Sequence, residues 1–288
     1  MAADRRRDKS ILTVDVEDWF HILDLPSAPG LSDWDVLPSR VEKNFSRLLD
    51  IFDEQQVKVT CFFLGWIAER HKEMVRDAFR RGHEIASHGH RHSLVYEMTP
   101  GDFARDASDS RKLLEDISGS PVLGYRSPGF SITEKTPWFF DKLLEAGYAY
   151  DSSIFPALRQ HGGQKAAGCA PYLVSGMPSP FVEFPITVAK VLGTRVCFFG
   201  GGYLRLFPYW IVKMMAGRVH RQGRPVIFYV HPREIDPDQP RMKMGPVRRF
   251  KSYVNLGTME PKLLKIVRDF DLTTFRDYLH ENPEMIQG

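Results

Sequence analysis

Residues 11–21 read ILTVDVEDWFH. Apart from Asp15, the run Ile11–Val16 is apolar or β-branched on both faces, the pattern of a strand buried on both sides. It runs straight into Asp15, Glu17 and Asp18, three carboxylates within four positions. Left alone they repel one another, and a metal ion or an arginine would relieve the repulsion. An acidic loop or a helix N-terminus would read the same way.

The same kind of strand recurs outward along the chain, each time followed by a helical pattern. Ser39–Glu54 carries apolar residues at helical spacing after a capping box of Ser39 with Glu42, and Val57–Leu64 is the next strand. A helix is expected over Trp66–Arg81, stopped by Gly82, then a short strand HEIAS (83–87) and a helix Thr99–Ile117. PVLGYRS (121–127) reads as a strand and Glu134–Ala146 as a helix, and AYDSSIF (149–155) and FVEFPI (181–186) read as extended. Pro208–Gln222 reads as a helix, PVIFYV (225–230) as a strand, and Glu260–Phe270 as a final helix before LTTF. Doubly buried strands alternating with amphipathic helices mean parallel βα units, and six or seven of them predict a closed or nearly closed (β/α) barrel. Chemistry in such barrels sits just after the strands.

Composition bounds the rest. The chain has 288 residues and a formal net charge of +3, too weak and too scattered to imply nucleic acid. Its short basic runs, Arg5–Arg6–Arg7 and Arg248–Arg249, read as solvated faces or tails, with a weak attraction to an anionic polymer or membrane surface left open. The N-terminal stretch has positive charge but no apolar core of a secretory signal, and no run approaches the roughly 18 apolar residues of a membrane span. Cys61, Cys169 and Cys197 are odd in number and widely spaced, as free thiols in a reducing compartment are. These features predict a cytoplasmic protein, at or near the inner face of the membrane. The expected organisation is an unstructured N-terminal tail (1–10), one catalytic barrel domain (11–280) and a C-terminal tail (281–288).

Three further strand ends carry reactive groups. SHGHRHS (87–93) places His88, His90 and His92 within five positions, and neutral imidazole is a good ligand for zinc and similar ions. One helical turn would put His88 and His92 on one face, with His90 elsewhere. Arg126 follows PVLGY and is succeeded by Pro128 and Gly129, and His231 follows PVIFYV. Taken singly, an arginine there reads as a salt bridge and a histidine as a satisfied structural group; their order along the chain gives them weight.

In that order the sequence resembles the polysaccharide deacetylase family, the carbohydrate esterases related to chitooligosaccharide deacetylases. TVDVED stands where the family has T-F-D-D; His88-Gly-His-Arg-His92 stands for H-S/T-x-x-H; and Arg126-Ser-Pro128 stands for R-x-P. A less specific motif falls near Tyr150–Ser153, and FYVH ends in His231. DVEDWFH, EFPIT, GGGYLRLFP and HPREIDPDQPR look like a bacterial subgroup associated with exopolysaccharide loci. The resemblance spans roughly Leu12 to Phe275. It implies a distorted (β/α) barrel of about seven parallel strands and metal-dependent removal of N-acetyl groups from an N-acetylated glycan, in association with a membrane-bound polysaccharide assembly system. Carried over, His88 and His92 are metal ligands, Asp15 the general base, Arg126 the group that orients it, and His231 the general acid. The metal is one divalent ion, zinc first, with cobalt or nickel as substitutes.

One departure matters. Val16 follows Asp15 where the family has a second Asp, so Glu17 or Asp18 must supply the third ligand. Side chains two apart on a strand share a face, which favours Glu17, whereas a bulge would bring in Asp18. The broken motif also keeps open a hydrolase of another non-peptide C–N bond (formamide, cyclic amide or ureide) and a catalytically dead carbohydrate-binding protein. The stretch CFFGGGYLRLFPYW (197–210) reads either as a lining of the sugar cleft or as a buried loop before the Pro208 helix. Oligomeric state is not legible.

Overall fold

The computed structural model describes residues 9–23, 25, 27–157 and 162–287. The Arg5–Arg6–Arg7 run and the first eight residues of the expected tail lie outside them, and Ser10 already belongs to a strand. That strand, β1 (Ser10–Val16), is buried at every position because it lies in mid-sheet. It pairs in parallel with β10 (Val226–Val230) on one side. On the other it meets β2 (Thr60–Phe63) at its upper end and β11 (Leu272–Thr273) at its lower end. From β2 the sheet continues through β3 (Glu84–Ser87), β4 (Gly124–Tyr125), β5 (Tyr150–Asp151) and β7 (Val182–Glu183), with β6 (Tyr172–Leu173) antiparallel at the edge. The path β10-β1-β2-β3-β4-β5-β7 is therefore seven parallel strands, as the barrel reading requires. The sheet curls without closing. Among the described residues no ladder joins β7 to β10; the Thr187 hydroxyl accepts from the Ile227 N–H at 2.9 Å across that seam.

The two-residue period of a strand decides which side chains meet. Leu12, Val14 and Val16 pack into the main core under the helices, whereas Ile11 joins Phe62, Ala86, Tyr150, Val182 and Ile227 in a second cluster. Residues of six strands converge only on the concave face of a curled sheet, so Ile11, Thr13 and Asp15 form a column up that face. Its lower end is closed by α10 (Phe275–Glu281), whose first ring packs on Phe184 at a centroid distance of 4.7 Å. The Phe275 and Arg276 N–H groups donate to Thr60 Oγ1 and Glu84 Oε2. Burying a phenylalanine contributes about 1.5–3 kcal/mol, and Phe275 is fully buried.

Several expected elements change at their edges. α1 (Val41–Glu54) lays Val41, Phe45, Leu48, Leu49 and Phe52 on the core, but no Ser39–Glu42 capping box forms. Ser39 Oγ instead donates to Asp18 Oδ2 at 2.6 Å, and the same carboxylate accepts from Arg40 N and Val41 N at 3.0 and 3.3 Å. The helix is capped from a distant loop. The helix expected over Trp66–Arg81 is broken at His71 (φ −126°, ψ 52°) into α2 (Gly65–Arg70) and α3 (Lys72–Arg80). Gly65 N and Trp66 N donate to Gly89 O and His90 O, which ties α2 to the histidine loop, while α3 packs on β3 and α1.

α4 (Pro100–Ser118) follows the expected bounds, capped by Thr99 Oγ1, whereas α5 (Phe139–Glu145) is shorter than its sequence pattern. β4 shrinks to two residues, and Gly124 is required there: a Cβ would lie 2.0 Å from the Tyr150 ring. The second half adds elements with no clear periodicity: a hairpin of β8 (Ala189–Val191) and β9 (Thr194–Val196), then α6 (Gly201–Leu206) ahead of α7 (Tyr209–His220). α8 (Pro246–Tyr253) also lies outside the expected elements, and α9 (Met259–Asp269) completes the outer layer. The expected C-terminal tail holds α11 (Glu284–Gln287), and Glu281 pairs with Lys9.

Candidate active site

The residues given a ligand or catalytic role from the sequence, Asp18 apart, reach one end of the concave face, and His90 does not. Asp15 is the last inward residue of β1, and a tight turn follows in which Glu17 N donates to Asp15 O at 3.0 Å. His88 lies one residue beyond β3 in the inward phase set by Ala86. The expected helical turn that would align His88 with His92 is absent. Two left-handed residues, Gly89 (φ 72°) and His92 (φ 55°), fold the loop back instead, and the rings stand 5.5 Å apart. A histidine at positive φ costs of order 1 kcal/mol, so the surroundings must hold it. Asp106 of α4 does so in part, accepting from His90 N at 2.7 Å and Arg91 N at 3.2 Å. His90 itself stays outside the cluster, its Nε2 3.5 Å from Glu69.

Glu17 Oε1 lies 2.9 Å from Nε2 of both His88 and His92, and all three side chains are buried. His88 Nδ1 donates to Arg126 O at 2.7 Å, which fixes the proton on Nδ1 and turns the Nε2 lone pair toward the Glu17 carboxylate. Two acceptors facing each other need a cation or a proton between them. Burial alone would push the Glu17 carboxyl up, but the His92, His88 and His231 neighbours hold it well below the usual carboxylate range. The ligand atoms of Glu17, His88 and His92 all lie within 4.8 Å of one another, a donor set that fits a divalent ion. Asp18, the other carboxylate considered, is spent on the α1 cap and on Trp19 N.

Arg126 is wholly buried. Its Nη1 donates to Asp15 Oδ1 at 2.6 Å and Thr13 Oγ1 at 2.7 Å, its Nε to Ser152 O and its Nη2 to Ser152 Oγ, both at 3.1 Å. The guanidinium lies 4.2 Å over the Phe62 ring, on the aromatic floor of the sheet. One Asp15 oxygen is thus tied down, and the other, Oδ2, lies 3.8 Å from His231 Nε2. His231 leaves β10 into a turn over Pro232–Ile235, which brings Glu234 Oε2 within 3.3 Å of its Nδ1. Burial pulls the His231 imidazole down, yet Glu234, Glu17 and Asp15 together raise it above its ordinary value. Burial pushes the Glu234 carboxyl up, but Arg205, at 3.0 Å, and His231 bring it to about 2.

Glu234 and Arg205 join the site without having stood out in the sequence. The spacing H-P-R-E, a carboxylate three residues after the histidine with proline between, is the available signal for Glu234. Arg205 sits in α6, inside the GGGYLRLFP stretch, but nothing in that stretch singles out the arginine. His21 is a third such residue: its Nδ1 accepts from Asp18 N at 2.9 Å, its ring lies 5.7 Å from His92, and its Nε2 is buried without a partner. Glu234, Arg205 and His21 line, with Asp15, Glu17 and His231, a cleft of about 550 Å³, whose far wall is built by α6 and α8, so part of the 197–210 stretch does line it.

Residues 32–150 match the family model for polysaccharide deacetylase, and residues 152–280 match a second, a domain of unknown function (DUF3473). The match to the polysaccharide deacetylase family thus covers residues 32–150, about two-fifths of the chain. A peptidoglycan deacetylase of Helicobacter pylori is 28% identical over 113 residues, covering 39% of this chain and 38% of the relative. A peptidoglycan-N-acetylglucosamine deacetylase of Bacillus cereus is 28% identical over 102 residues, covering 35% and 46%. The chain therefore spans less than half the length of either relative. A crystal structure of a probable polysaccharide deacetylase from Pseudomonas aeruginosa PAO1 superimposes with a TM-score of 0.61 at 17% identity, covering 98% of this chain and 93% of that one, which shows a shared fold. The deacetylase segment contributes His88, His92 and Arg126; Asp15 and Glu17 precede it. His231, Glu234 and Arg205 come from the segment of unknown function, so the cleft needs both.

Proposed function

We propose that this polysaccharide deacetylase-family chain removes the N-acetyl group from a sugar unit of a polysaccharide or oligosaccharide precursor. One divalent metal would be held by Glu17, His88 and His92, zinc first and cobalt or nickel as substitutes. The observation that carries the reading is the Glu17 carboxylate set between two imidazole nitrogens at 2.9 Å, with Asp15 and His231 beside it in the same cleft. When bound, such an ion polarises an amide carbonyl and makes water a better nucleophile.

The chain's own groups then do the proton work. Arg126 holds Asp15 by Oδ1, leaving Oδ2 to take the proton of the attacking water. Glu234 faces His231 Nδ1, keeping its proton there and favouring the imidazolium, so that Nε2 can protonate the departing amine. An unprotonated sugar amine leaves poorly, and this acid is needed for that reason. Arg126 positions and does not exchange protons.

The motifs DVEDWFH, EFPIT, GGGYLRLFP and HPREIDPDQPR support placing the chain in the exopolysaccharide-locus subgroup. On that reading it works in the cytoplasm or at the inner membrane face, beside a membrane-bound assembly system. Free Cys61, Cys169 and Cys197 agree with a reducing compartment, and no helix among the described residues is long and apolar enough to cross a membrane.

The test is elemental analysis of the purified protein beside His88→Ala, followed by acetate release from N-acetylated chitooligosaccharides. About one divalent metal per chain in the parent, little in the variant, and acetate from the parent alone are expected. Metal in neither protein after incubation with zinc, cobalt or nickel would overturn the reading. No acetate from these oligosaccharides, with formate released from an N-formyl substrate or ammonia from a ureide, would transfer the site to another C–N bond.

A further inference from the structure

Among the described residues three carboxylates line the cleft, and each is already engaged: Asp15 by Arg126, Glu17 by two imidazoles, and Glu234 by Arg205 and His231. Four strong cations line it as well: Arg205, Arg233, Arg248 and Lys251. Glu234 neutralises Arg205. Arg248 donates through Nη2 to Leu23 O at 2.8 Å. Arg233 and Lys251 have no carboxylate within ion-pairing distance among the described residues, and Arg233 Nη1 is buried without a hydrogen-bond partner. Behind this wall lies a further cation, Lys262, whose amine is spent on Leu204 O, Arg205 O and Phe207 O at the end of α6. Glu234 is thus the carboxylate that faces Arg205, and Arg233 and Lys251 stand beside that pair with no ion-pair partner among the described residues. A low-dielectric cleft lined this way concentrates a positive field where the substrate must lie.

A part-buried guanidinium with an unmade hydrogen bond is costly, and an incoming anion would relieve it. Carboxylate and phosphate both match the planar fork of arginine. The same wall presents Tyr203 and Phe250, 41% and 56% exposed, whose faces suit the uncharged part of a sugar ring. Arg233 lies two residues beyond His231 on one short turn, so an anion held there sits close to the reacting sugar.

We propose that Arg233 and Lys251, beside Arg248, form an anion subsite, and that the glycan taken bears a carboxylate or phosphate near its acetamido sugar. This rests on reading the site as a glycan hydrolase. The residues concerned lie in the segment matched by the domain of unknown function, so that segment would select for an acidic substrate.

The test is calorimetric binding to the full-length, metal-loaded protein at low salt, with three probes: a hyaluronan tetrasaccharide (uronate in the chain), N-acetylglucosamine 1-phosphate, and neutral chitotetraose. At least one acidic probe should bind about tenfold tighter than chitotetraose, and which one does so identifies the anion's source. Arg233→Gln with Lys251→Gln should abolish that preference, and Arg233→Lys alone should keep most of it. Lys251 is exposed, so Lys251→Gln by itself reports on a folded protein. Chitotetraose binding as tightly as both acidic probes would overturn the subsite, as would a preference that survives in the double variant. Acetate release is assayed separately: an anion preference without acetate release from any probe would sink the hydrolase reading and leave the subsite standing.

Discussion

Asp15 has one oxygen committed to Arg126 and one facing His231, and the chemistry proposed for the site depends on that asymmetry. Asp15→Asn preserves the shape and the contact to Arg126 but removes the base. It should retain metal by elemental analysis while acetate release falls by about 10²-fold or more. Full activity in that variant would remove Asp15 from the mechanism. Glu234 offers a second test with a definite sign. Burial lowers the His231 pKa, and Glu234 is the largest influence raising it, so the imidazolium persists to higher pH than an ordinary histidine. Glu234→Gln should therefore move the basic limb of kcat/KM toward lower pH with metal content unchanged. It should also lower Tm, because Arg205, 1% exposed, loses its carboxylate; breaking such a buried pair costs about 3–5 kcal/mol. A pH profile that does not move would leave Glu234 as a purely structural partner of Arg205.

At the scale of elements, the acidic loop after β1 divides its labour. Glu17 turns to the imidazoles, and Asp18 takes the backbone donors at the start of α1 together with the Ser39 hydroxyl. Asp18→Ala should cost about 1–2 kcal/mol, the usual worth of an N-cap, seen as a Tm lower by a few degrees. It should leave one metal per chain. Glu17→Gln should do the reverse, losing metal with a smaller change in Tm. If metal is lost with Asp18 and kept with Glu17→Gln, the ligand assignment is inverted. The strand period in D-V-E-D favours Glu17 but leaves Asp18 open, and what engages Asp18 is α1, more than twenty residues away, arriving with unpaired N–H groups.

The whole sheet carries a third consequence. Asp151 and Glu183 face each other across β5 and β7, fully buried. Burial pushes Asp151 up to about 6, and burial together with the neighbouring Asp151 carries Glu183 well above the carboxylate range. Groups raised on folding contribute full stability below their unfolded values, roughly pH 4, and lose it as pH climbs through the folded ones. The fold should accordingly weaken as pH rises past about 6. Glu183→Gln keeps an oxygen for Ile154 N–H, which the carboxylate now serves at 2.9 Å, and removes the second charge. Its Tm should exceed the parent's at pH 8 and lose that advantage near pH 5. Parallel Tm-against-pH curves for the two proteins would dismiss the pair as a source of the pH dependence.

Local pattern determined much of this protein. The apolar runs at Ile11–Val16 and Pro225–Val230 could be nothing but doubly buried strands, and the period of two made Asp15 share a face with Thr13 and Ile11. Strand ends in a βα protein are where side chains escape the sheet, which is why Asp15, His88, Arg126 and His231 stand out without knowledge of any contact. What local pattern did not hold was everything set by a partner distant in sequence. The break at His71, the left-handed His92, the capping of α1 by Asp18 and the choice of Glu17 over it all depend on neighbours that meet only when the sheet curls. The individual charges of the far wall, Arg205 of α6, Arg233 of the turn after β10 and Lys251 of α8, are further still from legibility. Short helices there bury few residues, so they leave no apolar period in the sequence, and their charges acquire a role only where the fold sets them against the cleft.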